Sequence, residues 1–196
     1  YAGQVKLVDG EIDSVINLMK NTGNADVRGA DLFATYRLNT GVGRFDFGLN
    51  GTYMERYDQT SPGGTLSRKV GTIVEANGDP VIGADDGGVI LRWRHALSAT
   101  YTRGAFGVTL TQNWSSGYET GNDLNGDRNF IKDQQLYDLN VSFRGVKNLT
   151  LSAGVRNLFD KQPQMFIPVS NQFQAGYDIT QYDPRGRLAY VSLGYK

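Results

Sequence analysis

Apolar and polar residues alternate along most of this chain, and a period of two residues is typical of β-strands whose two faces differ in chemistry. The alternation predicts seven strands, at about Val27 to Leu38, Arg44 to Tyr57, Val89 to Thr102, Ala105 to Tyr118, Gln135 to Arg144, Asn148 to Phe159 and Gly186 to Lys196. The seventh is the less regular of the last two, because Leu188 and Tyr190 fall on its more polar face. The pattern predicts an all-β, antiparallel fold.

Short and long connections alternate between the predicted strands. The short ones are polar or contain glycine, at 39–43, 102–104 and 145–148, and the long ones span about 58–88, 119–134 and 160–185. This alternation places all the long loops at one end of the sheet, as in outer-membrane barrels with short periplasmic turns and long external loops. Soluble β-sandwiches seldom sort their loops in this way.

Aromatic residues recur at both ends of the predicted apolar faces. Same-face pairs are Phe45 and Tyr53, Trp93 and Tyr101, Phe106 and Trp114, and Tyr137 and Phe143. Eight residues of a strand rise about 3.3 Å each, and in a tilted strand they span roughly 20 Å along the membrane normal. This is close to the height of about 25 Å of the apolar band in membrane barrels. The opposite faces carry polar residues suited to a wet or plug-filled lumen. A soluble sandwich core explains the alternation but not the paired rings.

Two residues break the apolar pattern of the outward faces. His95 falls between Trp93 and Leu97, and we expect its ring to be partly hydrated near the outer membrane–water interface. A metal or catalytic role for His95 is disfavoured, because the chain has no second histidine and no cysteine. The pattern offers no physical reason for the other exception, Gln112.

Composition excludes several classes of protein. The 196 residues include 20 basic and 20 acidic side chains, a balance that does not indicate nucleic-acid binding. The lack of cysteine excludes disulfides, thiolate metal sites and cysteine nucleophiles. No apolar run approaches the roughly 18 residues that a membrane helix needs. The content of 25 Gly, 11 Tyr and 9 Phe instead suits a sheet of long strands.

One polar cluster has the spacing of metal ligands. Oxygen-bearing side chains stand at every second position of the middle long loop, at Asp123, Asn125, Asp127 and Asn129. This resembles the opening of a calcium loop, although the turn glycine stands one place early and Gln134 replaces the bidentate glutamate. A weak calcium site and a solvated Asx-rich turn both remain open. No other cofactor is expected.

Arginines on the polar faces have two possible roles. These residues are Arg92, Arg94, Arg144 and Arg156. Confined guanidinium groups normally find a carboxylate, so we expect them to pair with acids of a neighbouring domain. Attraction of an anionic substrate is the alternative.

Four segments resemble the TonB-dependent outer-membrane receptors. The segments VRNLFDKQP (155–163) and YDPRGRLAYVSLGYK (182–196) resemble the C-terminal end of that family's barrel. NTGNADVRGADLFATYRL (21–38) and ILRWRHALSATYTRGAFGVTLTQNWSSGY (90–118) resemble earlier parts of the barrel. The resemblance implies the C-terminal portion of a barrel of about 22 strands, in the outer membrane of a Gram-negative bacterium. Residues 1–24 are then an external loop, 25–196 hold seven strands with loops, and the plug domain is absent from the chain.

The resemblance also implies function and partners. Such receptors import a scarce nutrient, for example an iron chelate (siderophore), with energy that reaches the plug through TonB. The implied partners are membrane lipid, the plug, the remaining barrel strands, the TonB complex and a small ligand bound by the loops at 58–88, 119–134 and 160–185. We expect neither nucleic-acid binding nor enzymatic activity, since His95 faces lipid and cannot complete a catalytic triad. A passive porin is the alternative function.

Overall fold

The structure is a computed structural model that describes residues 5–15, 23–60, 64, 66–74, 89–122, 125–165 and 176–195. Regular structure in these ranges is entirely β. The strands are β1 (Val5–Val8), β2 (Glu11–Val15), β3 (Asn24–Thr40), β4 (Gly43–Thr60), β5 (Leu66–Arg68), β6 (Trp93–Arg103), β7 (Phe106–Ser115), β8 (Tyr118–Asn122), β9 (Arg128–Ile131), β10 (Gln134–Val146), β11 (Leu149–Arg156) and β12 (Leu188–Tyr195). Among the described residues, no helix has the length and apolar character needed to cross a membrane.

One antiparallel sheet contains the seven long strands in the order β3, β4, β6, β7, β10, β11, β12. Each long strand therefore pairs with the next long strand along the chain, and β5 adds a short pairing to the end of β4. Strands β1 and β2 form a separate hairpin, as do β8 and β9. The predicted all-β antiparallel fold is confirmed.

Strand register confirms the two predicted faces, because directly opposed residues share a face. One apolar row crosses six strands through Phe45, Tyr101, Val108, Val141, Ala153 and Val191. The next parallel row consists of Phe47, Ala99, Leu110, Leu139, Val155 and Ala189. Between them, Asp46, Thr100, Thr109 and Asn140 form a polar row on the opposite face.

Several strand ends differ from the predicted ones. Strands β3 and β4 extend further than predicted, and Asp26, in the added part of β3, accepts a bond from the Arg56 guanidinium at 2.9 Å. Strand β6 begins at Trp93 rather than Val89, and Ile90 instead forms a parallel bridge with Val70. Strand β11 ends at Arg156 because Asn157 turns the chain with a φ of 49°.

The predicted long loops contain regular structure that the alternation did not indicate. Strand β5 lies within 58–88, and the hairpin of β8 and β9 occupies most of 119–134. Strands β1 and β2 lie within the predicted external loop 1–24. These strands have three to five residues, too few to display a clear period.

The buried apolar core lies outside the sheet. Among the described residues, buried hydrophobic side chains are those of Ile73, Val89, Tyr118, Ile131 and Tyr182, and no long strand contributes one. Both outer strands of the sheet, β3 and β12, are exposed along their described lengths. The sheet thus exposes two faces, whereas its loop end contains a packed cluster.

Candidate functional site

The five buried residues Ile73, Val89, Tyr118, Ile131 and Tyr182, here named the loop core, bring the three long connections together. Parallel bridges join Val70 to Ile90 and Thr72 to Glu119. The amide of Ile73 donates to the carbonyl of Glu119 at 3.0 Å. Apolar burial and backbone hydrogen bonds therefore hold the described parts of these connections as one unit.

A buried carboxylate lies within the loop core. Asp178 has no exposed surface and accepts hydrogen bonds from the Tyr118 hydroxyl at 2.7 Å and from the amide and hydroxyl of Thr180 at 2.8 and 2.6 Å. These bonds offset the cost of removing a carboxylate from water. Desolvation by burial raises the pKa of Tyr118, with a further contribution from Asp178, and the pKa of Tyr182 to about 12. Asp178 thus joins segments sixty residues apart.

The segment Arg156 to Gln162 forms the base of the third long loop. Asn157 has a positive φ of 49°, its side chain exchanges two hydrogen bonds of 2.9 Å with the backbone of Lys161, and its amide donates to Asp138 at 2.8 Å. Asp160 also has a positive φ, of 55°, and accepts a bond from the amide of Arg187 at 2.7 Å. Asn and Asp tolerate the left-handed region better than other residues with a side chain. The two residues therefore close the loop at its base.

Gln164 attaches the third loop to the hairpin of β8 and β9. Its side-chain oxygen accepts from the amide of Lys132 at 3.0 Å, and its side-chain nitrogen donates to the carbonyl of Phe130 at 3.1 Å. A residue of a neighbouring strand would offer the same donor and acceptor to this edge. The side chain thus satisfies the backbone edge of β9 beside the loop core.

A polar cleft of about 140 Å³ opens below the third loop. It is lined by Gln134, Leu136, Asp138, Arg156, Asn157, Lys161, Asp183, Arg185, Gly186 and Leu188. A neighbouring pocket of about 440 Å³ is lined by Lys132, Asp133, Gln134, Gln135, Lys161, Gln162, Gln164 and Tyr182. The residues of the polar cleft that belong to β10, β11 and β12 lie on the polar face of the sheet, opposite the apolar rows.

The charges of the polar cleft are unevenly paired. Arg185 binds Asp183 through its Nε at 2.9 and 3.0 Å, and this side-chain bond, with a backbone bond from Arg185, lowers the pKa of Asp183 to about 2. Asp138 accepts bonds from Asn157 and Asn113. Within the described residues, neither Arg156 nor Lys161 forms an ion pair. The Arg156 guanidinium lies over the ring of Tyr190, with 5.9 Å from its central carbon to the ring centroid, and its charge contributes to the lowered pKa of Asp183.

The calcium prediction is not tested by the described residues, since Asp123 lies outside them. Asn125 and Asp127 lie in the turn between β8 and β9, and the Asn129 side chain accepts from the amide of Phe130 at 2.9 Å. No cluster of three or more His, Cys, Asp or Glu that would hold a metal occurs in the part of the chain that the structure describes. Parts of the predicted ligand loops, at 61–63, 65, 75–88 and 166–175, also lie outside it.

The other residues singled out by the sequence have the following contacts. His95 is half-buried, and its Nδ1 accepts from the Trp93 indole at 2.8 Å. Gln112 donates to the hydroxyl of Tyr137 at 3.0 Å, which gives its outward position a physical reason. Like Arg156, the lumenal residues Arg92, Arg94 and Arg144 form no ion pair within the described ranges. Their pairing with a neighbouring domain stays a prediction.

The sequence did not predict the loop core or Asp178. The residues of the loop core come from three connections, and Asp178 is separated from its tyrosine partner by sixty positions. The polar cleft was partly indicated by the sequence, since Arg156 was predicted on the polar face, and the segment VRNLFDKQP contains Asn157 and Asp160, which close the base of the third loop.

Residues 4–158 match the family described as TonB dependent receptor-like, beta-barrel. Similar solved structures include a mutant of the ferric enterobactin receptor PfeA from Pseudomonas aeruginosa, at 24% identity and a TM-score of 0.53. A second PfeA mutant, in complex with enterobactin, has 23% identity and a TM-score of 0.55. PfeA in complex with BCV-L6 has 25% identity and a TM-score of 0.53. Each match covers 87% of this chain and 22% of the other.

The chain thus spans about a fifth of the length of these solved receptors, and the structural likeness concerns the fold. No curated protein is significantly similar to it in sequence. The family match covers most of the chain and agrees with the two-faced sheet and the sorting of short turns and long loops. The chain therefore belongs to the TonB-dependent receptor family and forms part of its β-barrel.

Proposed function

We propose that this chain is part of an energised outer-membrane transporter that imports a scarce small nutrient, and that the polar cleft helps to bind that nutrient. The observation that supports the proposal is the loop core, which fixes three long connections next to a cleft that contains Arg156 and Lys161, two cations that form no ion pair among the described residues. A preformed polar cleft limits the ordering cost of binding. In this orientation the long loops are external and the short turns are periplasmic.

An anionic iron chelate is the ligand class that we favour. Arg156 and Lys161 supply positive charge at the cleft, and the adjoining pocket contains the side-chain amides of several glutamines. The cationic groups of the cleft, Arg156, Lys161 and Arg185, outnumber its two carboxylates, Asp138 and Asp183, and a surplus of one sign of charge attracts ligands of the opposite sign. Solved structures similar to this chain include the ferric enterobactin receptor PfeA, at 25% identity, which supports a siderophore as the transported compound.

The proposed partners are the plug, the remaining barrel strands and the TonB complex. Strands β3 and β12 each have one neighbour within this sheet, so each has a free backbone edge that another strand of the barrel would pair. The polar face of the sheet is suited to contact a plug. A passive porin is disfavoured, because the matched family consists of receptors.

Ligand binding to the full-length receptor tests the role of the cleft. We expect the double substitution Arg156→Ala and Lys161→Ala to weaken binding of ferric enterobactin by about tenfold or more, since charge-assisted contacts are lost. Binding of an uncharged ferric hydroxamate is expected to change less. Lys147→Ala, in the exposed short turn, is the matched control and is expected to leave both affinities unchanged. Equal affinities for the double variant and the unaltered receptor would contradict the proposal.

Uptake in cells separates the energised transporter from the passive porin. Accumulation of radiolabelled iron chelate by cells that express the full-length receptor is expected to stop when TonB is deleted. Accumulation that continues at the same rate without TonB would support a passive channel and reject the energised mechanism.

A further inference from the structure

Tyr190 makes the last strand irregular, because its large ring lies on the polar face of β12. In the strand register Tyr190 is directly opposed to Gly154 of β11, and Gly154 is directly opposed to Asn140 of β10. The Tyr190 ring passes over Gly154, and its hydroxyl accepts a hydrogen bond from the side-chain nitrogen of Asn140 at 3.0 Å. The ring therefore connects three strands within one row of the polar face.

Gly154 provides the space in which this ring lies. A β-carbon added at position 154 would come within 2.5 Å of both Cζ and the hydroxyl oxygen of Tyr190. Non-bonded carbon atoms pack at about 3.5 to 4.0 Å, so any side chain at this position would displace the ring. Glycine in the interior of a strand often marks the close approach of another group. At Gly154 that group is the ring of Tyr190.

Arg156, the cation that β11 contributes to the polar cleft, lies over the same ring. It follows Gly154 by two positions on the polar face and is directly opposed to Leu188. The distance of 5.9 Å from its guanidinium carbon to the centroid of the Tyr190 ring is within the range of a cation–π interaction. An aromatic face attracts a guanidinium group without neutralising its charge, as a carboxylate would. The ring thus holds Arg156 in place and leaves its charge uncompensated.

The two carboxylates of the polar cleft are occupied by other groups. Asp138 accepts hydrogen bonds from the backbone amide of Asn157 at 2.8 Å and from the side chain of Asn113 at 3.0 Å. Asp183 accepts bonds from the backbone amide and Nε of Arg185 at 3.0 and 2.9 Å. Both carboxylates line the same cleft as Arg156, so a guanidinium released from the ring would be drawn toward them.

We infer that Tyr190 is a positioning residue: its ring, seated on Gly154 and anchored by Asn140, holds the Arg156 guanidinium where an anionic ligand of the polar cleft binds it. The inference rests on the proposed role of Arg156 in ligand binding. Tyr190 acts through Arg156 and has no separate contact with the ligand. The same arrangement gives a physical reason for the aromatic residue that interrupts the alternation of the last strand.

Affinities of the full-length receptor for ferric enterobactin and for an uncharged ferric hydroxamate test this inference. We expect Tyr190→Leu to weaken binding of ferric enterobactin about fivefold, the size of a cation–π interaction at a partly exposed site, and to leave binding of the hydroxamate unchanged. Tyr190→Phe keeps the ring and is expected to retain the affinity for ferric enterobactin. Gly154→Ala displaces the ring, so it is expected to act like Tyr190→Leu and replaces that variant if it does not insert.

A double substitution separates positioning from general damage to the cleft. Arg156→Ala with Tyr190→Leu is expected to bind ferric enterobactin no more weakly than Arg156→Ala alone, because the ring acts only through the guanidinium. Damage to the cleft would instead add a second loss. Tyr195→Leu makes the same change on the opposite face of the same strand, and this matched control is expected to leave both affinities unchanged. Heat-modifiable mobility establishes that each variant is folded.

Failure of the inference is distinguishable from failure of the proposed function. If Arg156→Ala leaves the affinity for ferric enterobactin unchanged, the proposed role of Arg156 and the inference about Tyr190 are both rejected. If Arg156→Ala weakens binding but folded Tyr190→Leu and Gly154→Ala variants do not, only the inference is overturned. Losses that add in full in the double variant would overturn it as well.

Discussion

The sheet and the loop core are organised in opposite ways. In the sheet, large apolar side chains are exposed, with exposed fractions of 44% for Leu97 and 82% for Val191. In the loop core, Ile73 and Ile131 are 0% and 1% exposed, and even the carboxylate of Asp178 is fully buried. The sheet therefore leaves large apolar side chains exposed, as expected for the proposed contact with lipid, whereas the loop core is stabilised by contacts within this chain.

With the proposed membrane placement, the difference is explained by the two solvents, which are lipid around the sheet and water around the loops. In lipid, outward apolar side chains are already in an apolar medium and gain little by packing against protein, provided that every backbone group is paired in the sheet. Long connections in water have to bury their own apolar residues to become ordered. Any treatment that acts on lipid contacts is therefore expected to destabilise the sheet first. Substitutions in the loop core are expected to destabilise the loops first.

The largest expected effect is that of creating a cavity in the loop core. Ile131→Ala in the full-length receptor is expected to lower the free energy of loop opening by about 2 to 5 kcal/mol, because a fully buried side chain is truncated and leaves a cavity. Ile179→Ala, at an exposed position of the third loop, is the matched control and is expected to cost no more than about 0.5 kcal/mol. Hydrogen exchange of loop peptides measures both. A similar cost for the two variants would show that the loop core is not packed.

The second prediction concerns the sheet. Leu97→Arg or Leu151→Arg is expected to destabilise the folded barrel by about 2 to 4 kcal/mol, because a charge is placed toward lipid. Thr100→Arg and Ser152→Arg, on the polar face of the same two strands, are expected to cost little unless the plug packs there. Unfolding by denaturant in lipid vesicles measures the four variants. Equal costs on both faces would contradict the assignment of the lipid-facing side.

The third prediction concerns the buried carboxylate. Asp178→Ala is expected to cost about 1 to 3 kcal/mol in loop opening, because the buried Tyr118 hydroxyl loses its acceptor. The double substitution Asp178→Ala with Tyr118→Phe removes both partners and is expected to recover part of that loss. Hydrogen exchange of the amides of Ile73 and Ile131, which belong to other connections, reports the effect. No change at those amides would mean that Asp178 acts only within its own loop.

The smallest expected effect is a dependence of the polar cleft on pH. The pKa of Asp183 is lowered from 3.8 to about 2 by Arg185, so its contribution to stability is complete above about 3.8 and is lost as the pH falls to about 2. Exchange of the peptide around 183–187 is expected to accelerate over that interval. Asp183→Asn is expected to remove the dependence. Identical pH profiles for the two proteins would rule out the ion pair.

The sequence predicted the sheet well because strand faces are encoded locally. Residues two positions apart already show which side is apolar, and the rows through Phe45 and Phe47 confirm that assignment. Strand ends were predicted less well, since the departure of 89–92 from the sheet depends on a bridge to Val70. The loop core was not predictable, because Tyr118 and Asp178 meet across sixty residues and no period relates them, whereas the position of Arg156 on the polar face follows from strand parity. The outward Gln112 likewise required a cross-strand partner to explain it.

Amide hydrogen exchange of the unaltered full-length receptor tests the central claim most directly, namely that the three long connections form one structural unit. Each connection contributes one backbone amide that donates a hydrogen bond: Ile73 at 3.0 Å, Glu119 at 3.0 Å and Tyr182 at 3.1 Å. The account predicts that these amides share a single opening free energy and a single dependence on denaturant, as a cooperative unit does. Three unrelated opening free energies, with any one of these amides exchanging as fast as an unprotected loop, would contradict it.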